Sequence, residues 1–465
     1  MRCMKFKLPV WVAAGLLSAV VGTAHGQNVP VVPNVPQEEA YELRALPPQE
    51  AAQEVEEGPE RYLETEFLGS RGIKTYGWID AGIGANAWGA PWNGPITFND
   101  RAWQGMMNQL YLVNEKLLDT GDGGFDWGGR VDLLYGTDYI FTTARGLDAY
   151  PAGDPIGLGA PRWGYNKYYG LAMPQLYGEV GYNDLAVKFG HFYTIIGYEV
   201  VPAIGNFFYT HAYTMQYGEP FTHTGVLTTW TPNDQVIFYN GITNGWDNFD
   251  DGMTTFGPVT NTGYPGYNSN AAYLGGVTFK SADESQTLTF TTSTGNELGS
   301  FGVPMAGNRS ILSTVYVNKL SDKLTYVFQN DNGWQFNAGN IYRPASQVGD
   351  TAQWYGINQY MFWNFSETLV GGMRLEWFRD NNGYRVINPL RNYLFGQQPV
   401  YGGYAGNFWQ LTYGLNYKPT ANWMIRPEIR YDWYSPDSPG TGQSPFGNGD
   451  QLGQLYGGCD LIWQF

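Results

Sequence analysis

The chain has 465 residues and a formal net charge of −16 at pH 7, so we expect no nucleic-acid partner. Aromatic residues make up 17% of it and charged residues only 15%, and it contains 62 glycines. Tyr and Trp are typical of the two interfaces of a bilayer, and Gly of tight turns, so this composition favours a β-barrel that spans a membrane. A soluble β-sandwich rich in Trp and Tyr is the alternative.

The N-terminus has the pattern of a secretory signal peptide over residues 1–26. Basic residues precede the apolar run Leu8–Gly22, and small residues precede a cleavage site near Gln27. We therefore expect export through the Sec pathway. Cleavage leaves Cys459 as the remaining cysteine, which excludes an internal disulfide and a cysteine-based metal site. No other stretch reaches the roughly 18 apolar residues of a membrane helix, so the mature chain is either soluble in the periplasm or a closed sheet in a membrane.

Residues 27–66 differ in composition from everything that follows them. They combine six prolines with ten Glu and two Arg, and they contain too few apolar residues to bury a core. We interpret this segment as an acidic, proline-rich lead-in located in the periplasm, and we expect the barrel to occupy residues 67–465.

Sixteen stretches after residue 72 are predicted to be strands, with tight turns and long loops alternating between them. They lie near 73–88, 106–118, 125–137, 168–182, 184–191, 223–231, 235–243, 270–280, 285–293, 309–319, 322–331, 352–364, 367–378, 407–418, 422–434 and 452–465. This alternation predicts an all-β fold. We expect a transmembrane antiparallel β-barrel of about 16 strands, with short periplasmic turns and long extracellular loops. Fourteen or eighteen strands are the alternatives.

Charged residues recur at every second position in three of these strands, and hence on one face of each strand. A charge that faced lipid would cost about 2–4 kcal/mol near the bilayer midplane, so the charged faces are predicted to line the lumen. The predicted lumen-wall residues are Arg130, Asp132, Asp138, Arg374, Glu376, Arg426, Glu428, Arg430 and Asp432. Either they support the wall as ion pairs, or they create a field that orients and filters solutes.

The predicted loop over residues 192–222 is far more apolar than a solvated loop. A long apolar loop must be buried, and the interior of a wide barrel offers the space. We expect this loop to fold inward and to form the pore constriction, with Glu199, His211 and Glu219 reaching the aqueous path. The alternative is a cap that packs on neighbouring loops or on a subunit partner.

Few residues suggest any other chemistry. Asp247, Asp250 and Asp251 precede Gly252 and match part of a calcium-loop pattern, which makes them weak candidates for a Ca²⁺ site. The sequence has no recognisable arrangement of nucleophile and base, no zinc-site spacing and no phosphate-binding loop. We expect neither a cofactor nor an enzymatic activity.

The last eleven residues, Leu455–Phe465, alternate between an apolar, aromatic face and a more polar face. This pattern predicts the strand that closes the barrel. The terminal aromatic residue, Phe465, resembles the signal that the barrel assembly machinery of the outer membrane reads. We expect that machinery and outer-membrane lipid as partners.

Several motifs follow one another in an order found in a known family. They are Tyr76–Gly82, Asn108–Leu112, Asp126–Asp138, Gln175–Tyr177, Lys188–Thr194, Gly197–Glu199 and Pro220–Val226. This ordered set resembles the β-barrel porin-2, OmpL-like family, most strongly over residues 73–250. The resemblance implies a porin-like barrel in the outer membrane of a Gram-negative-type cell.

We therefore expect a passive diffusion channel, a porin, for small hydrophilic solutes. Without the signal peptide and the lead-in, the chain has 32 acidic and 21 basic residues, and this excess predicts a modest cation preference. The alternatives are a barrel that acts in adhesion or as a structural element, and a barrel-borne surface hydrolase. The sequence is also compatible with a homo-oligomer.

Overall fold

The described residues of the chain form a closed β-barrel of sixteen antiparallel strands. In the computed structural model these residues are 63, 65–89, 91–121, 123–149, 162–163, 168–249, 271–297, 307–336, 338, 351–386, 403–437, 444–447 and 449–465. The predicted signal peptide and nearly all of the lead-in lie outside them. Within these ranges, no helix has the length and apolar character needed to cross a membrane.

The strands follow one another around the barrel in sequence order. A short helix, α1 (Glu66–Gly69), precedes them. The strands are β1 (Ile73–Asn86), β2 (Gln104–Lys116), β3 (Phe125–Gly136), β4 (Gly170–Tyr182), β5 (Leu185–Tyr193), β6 (Thr222–Asn233), β7 (Val236–Thr243), β8 (Ala272–Lys280), β9 (Gln286–Glu297), β10 (Gly307–Ser321), β11 (Leu324–Gln335), β12 (Ala352–Ser366), β13 (Leu369–Asp380), β14 (Gly406–Thr420), β15 (Trp423–Pro436) and β16 (Gly453–Gln464). The predicted fold class, strand number and antiparallel order are confirmed.

The strands β9 and β11 extend further than predicted at their long-loop ends. Glu297 pairs with Gly307 across β9 and β10, and Gln335 pairs with Ala352 across β11 and β12. Apart from Trp334, neither extension contains a large apolar residue, so the alternation of apolar and polar residues that identifies a strand fades there. At the end of β9, the inward carboxylate of Glu297 accepts a hydrogen bond of 2.7 Å from the amide of Trp246, a residue far away in the sequence. The connection over residues 298–306 is therefore shorter than predicted.

The two faces of the sheet differ in chemistry, as β15 illustrates. Ile429 and Tyr431 point outward and are 52% and 48% exposed, whereas Arg430 and Asp432 point inward and are fully buried. Outward aromatic rings also stack across strands, for example Trp409 on Trp433 with ring centroids 6.0 Å apart. The alternation follows from the two-residue period of a strand. It places the charged residues of the wall inside the barrel.

The barrel closes where β1 meets β16. The amide of Gly77 donates to the carbonyl of Phe465 at 2.9 Å, and the amide of Phe465 donates to the carbonyl of Gly77 at 2.9 Å. The Phe465 ring lies against that of Trp463, with centroids 5.1 Å apart. Phe465 thus extends the pairing of the two strands beyond the end of β16.

The hydrophobic core lies inside the barrel and is built around the connection between β5 and β6, residues 194–221, called L3 here. L3 includes a 3₁₀ turn, Ala203–Gly205, and a π-helical turn, Thr214–Gly218. Its apolar side chains pack on inner faces on two sides of the barrel. One cluster joins Ile195, Ile196, Tyr213 and Tyr217 to Leu227, Ile237, Tyr239, Leu274 and Ile311, and another joins Tyr198, Phe207 and Phe208 to Val315, Val327, Tyr360, Phe362 and Val370. L3 therefore crosses the interior of the barrel.

Candidate functional site

An ion pair joins L3 to β13. The Arg374 Nη1 atom lies 2.6 Å from Glu199 Oε1, and the Ala212 amide donates to Glu199 Oε2 at 2.8 Å. The Nδ1 atom of His211 lies 3.3 Å from that second oxygen. Burial alone would raise the pKa of Glu199, but the Arg374 guanidinium and the nearby His211 outweigh it and lower this pKa to about 2. Glu199 is therefore an ionised residue of a buried pair, and burial lowers the pKa of His211.

Two wall carboxylates accept hydrogen bonds from consecutive backbone amides of L3. Glu376 on β13 accepts from Tyr213 and Thr214 at 2.8 and 2.7 Å. Glu428 on β15 accepts from Tyr209 at 3.0 Å and Thr210 at 3.2 Å. An irregular loop cannot satisfy these amides internally, and a buried amide without a partner would be costly. The two carboxylates thus accept the backbone hydrogen bonds of L3 that a neighbouring strand would accept in a sheet.

Three wall arginines donate to the backbone carbonyls of L3 and complete this attachment. Arg426 donates to Ala203 at 2.8 Å, Arg430 to His211 at 2.7 Å, and Arg374 to Thr210 at 2.7 Å. Two of these arginines also pair with carboxylates on the wall: Arg426 with Asp460 and Arg430 with Asp432. The fixed fork of a guanidinium lets one side chain hold the loop and the wall together.

Close approach of L3 to the wall depends on glycine. Phe207 lies directly over Gly372 of β13, and Phe208 lies 3.0 Å from the position that a Cβ atom of Gly414 on β14 would occupy. Gly372 and Gly414 are paired across the two strands, so they form one smooth patch on the inner wall. Any larger side chain there would displace the aromatic rings.

The C-terminal part of L3 is attached to β11 through Glu219. Gln329 Nε2 donates to Glu219 Oε1 at 2.5 Å, and Asp331 lies beside the same carboxyl group. Ser313 donates to Asp331 at 2.6 Å. Burial and the neighbouring Asp331 raise the pKa of Glu219 well above its usual value. Two buried carboxyl groups this close favour the binding of a proton.

L3 also contacts β2 and the connection over residues 87–103. Gln109 on β2 donates to the carbonyl of Val201 at 2.8 Å and accepts from the amide of Ala203 at 3.0 Å. The Gln216 side chain accepts from the Thr97 amide at 2.6 Å. These contacts add a third side to the attachment, so L3 is held by the wall along most of its length.

The sequence matches the family described as "Putative beta-barrel porin-2, OmpL-like" over residues 72–465. The chain belongs to this family. The match covers every strand of the barrel, and the predicted resemblance is confirmed. No curated protein sequence matches the chain.

Solved porin structures share the fold at low sequence identity. The outer membrane channel DcaP of Acinetobacter baumannii has a TM-score of 0.52 and 10% identity, covering 87% of this chain and 100% of its own. OprB of Pseudomonas putida has a TM-score of 0.51 and 12% identity, covering 89% and 100%. The anion-selective porin from Comamonas acidovorans has a TM-score of 0.51 and 7% identity, covering 84% and 99%. These similarities show the porin fold, and the identities are too low to transfer solute preference.

The structure brings most of the predicted wall residues of this porin together at L3. Arg374, Glu376, Arg426, Glu428, Arg430 and Asp432 all contact it, and all are buried. The predicted constriction residues Glu199, His211 and Glu219 are 9%, 5% and 3% exposed. Because they contact the wall or L3 itself, these side chains hold the loop in place instead of extending into water. Their part in a constriction stays a prediction.

Two other predicted wall residues, Arg130 and Asp132, form a separate pair on β3. Arg130 contacts Asp132 at 2.7 Å and Glu115 of β2 at 3.0 Å. Asp138 belongs to a 3₁₀ turn, Asp138–Phe141, that follows β3 and not to the strand, which ends at Gly136. It accepts hydrogen bonds from the side chains of Asn108 and Gln109 at 3.0 and 2.9 Å.

The weak calcium candidate Asp247 is a backbone cap. Its Oδ1 atom accepts hydrogen bonds from the amides of Phe221 and Thr222 at 2.9 Å each, and burial raises its pKa. Asp250 and Asp251 lie outside the described residues. In the ranges that the structure covers, no group of three or more His, Cys, Asp or Glu side chains is arranged to hold a metal ion.

Sequence reasoning missed several residues that hold L3. Gln329, Asp331 and Tyr360 contact it from β11 and β12, and Tyr360 donates to Glu199 at 3.1 Å. All three lie on the inner face by the same alternation that identified the charged strand β15. The signal was present, but Gln329 and Tyr360 are uncharged, and Asp331 is a single charge without a charged neighbour on the same face of β11.

Proposed function

We propose that this porin is a passive diffusion channel for small hydrophilic solutes and that L3 forms its constriction. The observation that carries the proposal is the path of L3. It crosses the interior and is attached by side chains from β2, β11, β13 and β15. A loop held in this way reduces the cross-section of the lumen at a fixed place. Solute size is then limited by L3 and not by the barrel diameter.

The experiment that tests the role of L3 shortens it between Gly197 and Gly218. We expect the shortened porin to have a higher single-channel conductance and to admit larger uncharged sugars in liposome swelling. Heat-modifiable mobility would establish that both proteins are folded barrels. Equal conductance and an equal size limit in the two folded proteins would mean that L3 does not form the constriction.

We further propose a modest preference for cations. Around L3, buried carboxylates outnumber guanidinium groups among the described residues. The carboxylates, with Glu219 left out because it shares a proton with Asp331, are Glu199, Asp331, Glu376, Glu428, Asp432 and Asp460, and the guanidinium groups are those of Arg374, Arg385, Arg426 and Arg430. Pairing between these carboxylates and guanidinium groups keeps the preference small. A reversal potential of anion-selective sign in a KCl gradient would overturn it.

We propose the same assembly route for this barrel as for other outer-membrane barrels, with Sec-dependent export, contact with lipid and recognition of the last strand. The support is the position of Phe465, whose backbone pairs with Gly77 where the barrel closes. Deleting Phe465 removes two hydrogen bonds at that place. We expect less heat-modifiable porin in the outer membrane, and an unchanged amount would contradict this role.

A further inference from the structure

Three arginines and a tryptophan meet at the long-loop end of the barrel, beside L3. Arg309 lies near the start of β10, Arg385 follows β13, and Arg145 and Trp246 belong to the connections after β3 and β7. The guanidinium carbons of Arg309 and Arg385 lie 4.9 and 5.4 Å from the centroid of the Trp246 ring. Arg145 donates to the Trp246 carbonyl at 3.4 Å. Three distant parts of the chain thus meet at Trp246, two at its ring and one at its carbonyl.

Two of these arginines have neutral hydrogen-bond partners only. Arg309 donates to the Gln335 side chain at 2.7 Å, and Arg385 donates to the Tyr217 carbonyl of L3. Among the residues that the structure describes, no carboxylate lies within 4.0 Å of either guanidinium. Arg309 is 8% exposed, and burial together with the charge of Arg309 lowers the pKa of Arg385 to about 10. Buried charges of like sign are costly unless an anion or other hydrogen-bond acceptors compensate them.

The nearest carboxylates are already used by the backbone. Asp247 accepts from two amides at 2.9 Å, and Asp380 accepts from the amides of Tyr384 and Val386 at 3.0 and 2.9 Å. Glu297 accepts from the Trp246 amide at 2.7 Å and lies 3.6 Å from Arg145. They offset the positive charge at a distance. They do not occupy the donors of Arg309 and Arg385.

Two further donors in this cluster are buried without an acceptor. In the described part of the chain, neither Trp246 Nε1 nor Arg145 Nε has a hydrogen-bond partner, and Trp246 is 2% exposed. A buried N–H group without an acceptor is costly. Arg145 is open to solvent, with 28% of its side chain exposed, and Arg385 is partly exposed. Water-soluble anions can approach from that side.

We propose that Arg309, Arg385, Arg145 and Trp246 form a weak binding subsite for small solutes that carry a carboxylate. The inference rests on the proposed channel function, because it places the subsite beside the constriction loop. Guanidinium groups match the geometry of a carboxylate, and the indole N–H supplies one more donor. The nearby Asp247, Glu297 and Asp380 make the summed charge close to neutral. Binding is therefore weak, as passage through a channel requires.

The test measures single-channel conductance while potassium acetate replaces KCl at constant ionic strength. For the parent porin we expect a saturable fall in conductance. Replacing both Arg309 and Arg385 by Gln should weaken the apparent acetate affinity by about tenfold or more, because charge-assisted hydrogen bonds are lost. Trp246→Phe keeps an aromatic ring but removes the N–H donor, and we expect a smaller loss of affinity.

The matched control is Arg379→Gln. Arg379 lies at the same end of β13 but pairs with Asp437 at 2.6 Å on the outer rim, so its loss should leave the acetate effect unchanged. An acetate effect as strong in the Arg309/Arg385 double variant as in the parent would overturn the subsite. If the double variant does not assemble, the single variants Arg385→Gln and Trp246→Phe replace it. An acetate effect in both of them as strong as in the parent would then overturn the subsite. A parent that conducts without a saturable acetate effect overturns the subsite alone, whereas a parent that does not conduct overturns the channel function.

Discussion

The wall formed by β13–β15 and the wall formed by β6–β8 hold L3 in different ways. On β13–β15, carboxylates and guanidinium groups bind the backbone of the loop, as with Glu376 and the amide of Thr214 at 2.7 Å. On β6–β8, Leu227, Ile237 and Leu274 pack against the apolar side chains of the loop. The first kind of contact is directional, and the second is not. The charged wall therefore fixes the position of L3, and the apolar wall adds stability.

This division also explains why the inner charges are so fully buried. A guanidinium such as that of Arg374 contacts a carboxylate and a backbone carbonyl at the same time. Removing one partner of a buried pair leaves an uncompensated charge, and such a change costs about 3–5 kcal/mol in proteins. Changes on the charged wall should therefore disturb the path of L3 more than changes on the apolar wall.

The largest effect is expected for Arg374→Met. It leaves Glu199 without its guanidinium partner and removes a donor to the Thr210 carbonyl. We expect a loss of roughly 3–5 kcal/mol from the attachment of L3, seen as a higher conductance and a larger size limit in liposome swelling. The control is Arg379→Gln at the exposed pair with Asp437, where the cost should be about 0–1 kcal/mol. Parental conductance in folded Arg374→Met would contradict the anchoring role.

A smaller change in conductance is expected for Leu274→Ala on the apolar wall. Leu274 is fully buried in the cluster with Tyr213, and its truncation should lower stability by about 2–5 kcal/mol. The polar anchors remain, so we expect a lower unfolding temperature with little change in conductance. Leu312→Ala on the outer face of β10, where the residue is 50% exposed, serves as the control. A conductance change as large as that of Arg374→Met would remove the distinction between the two walls.

The sequence predicted which residues line the inner walls of the barrel, but it did not predict which of them contact L3. The two-residue period of a strand is short and repeated, so the charges of β15 could be assigned to the inner face without a structure. The apolar content of L3 indicated that it must be buried. Its partners were not predictable, because Glu376 and Thr214 are far apart in the chain and meet only through the path of an irregular loop. Asp138 was assigned to β3 because the alternation of charges continues to it, but it belongs to the 3₁₀ turn that follows the strand.

The smallest effect concerns pH and separates Glu219 from the other anchors. Burial and Asp331 raise the pKa of Glu219 above the usual value of 4.5. The bound proton therefore contributes its full stabilisation below pH 4.5, and this stabilisation is lost as the pH rises through the raised pKa. Glu199, the other carboxylate whose charge acts on Glu219, is already ionised. The end of L3 should thus be held more firmly in acid.

We therefore expect open-channel noise to grow as the pH rises above the usual carboxyl range, because Glu219 ionises only above its usual pKa. Glu219→Gln cannot ionise and keeps a hydrogen-bonding side chain toward Gln329 and Asp331, so its noise should depend much less on pH. The control is Asp283→Asn in the exposed turn between β8 and β9. Hydrogen bonds from Ser281 and Ser285 lower the pKa of Asp283 to about 2, so it stays ionised over this range and its loss should not alter the profile. If Glu219→Gln retained the full pH dependence of the parent, the carboxyl pair would not be its source, and L3 would have to be held at this end by Gln329 and packing alone.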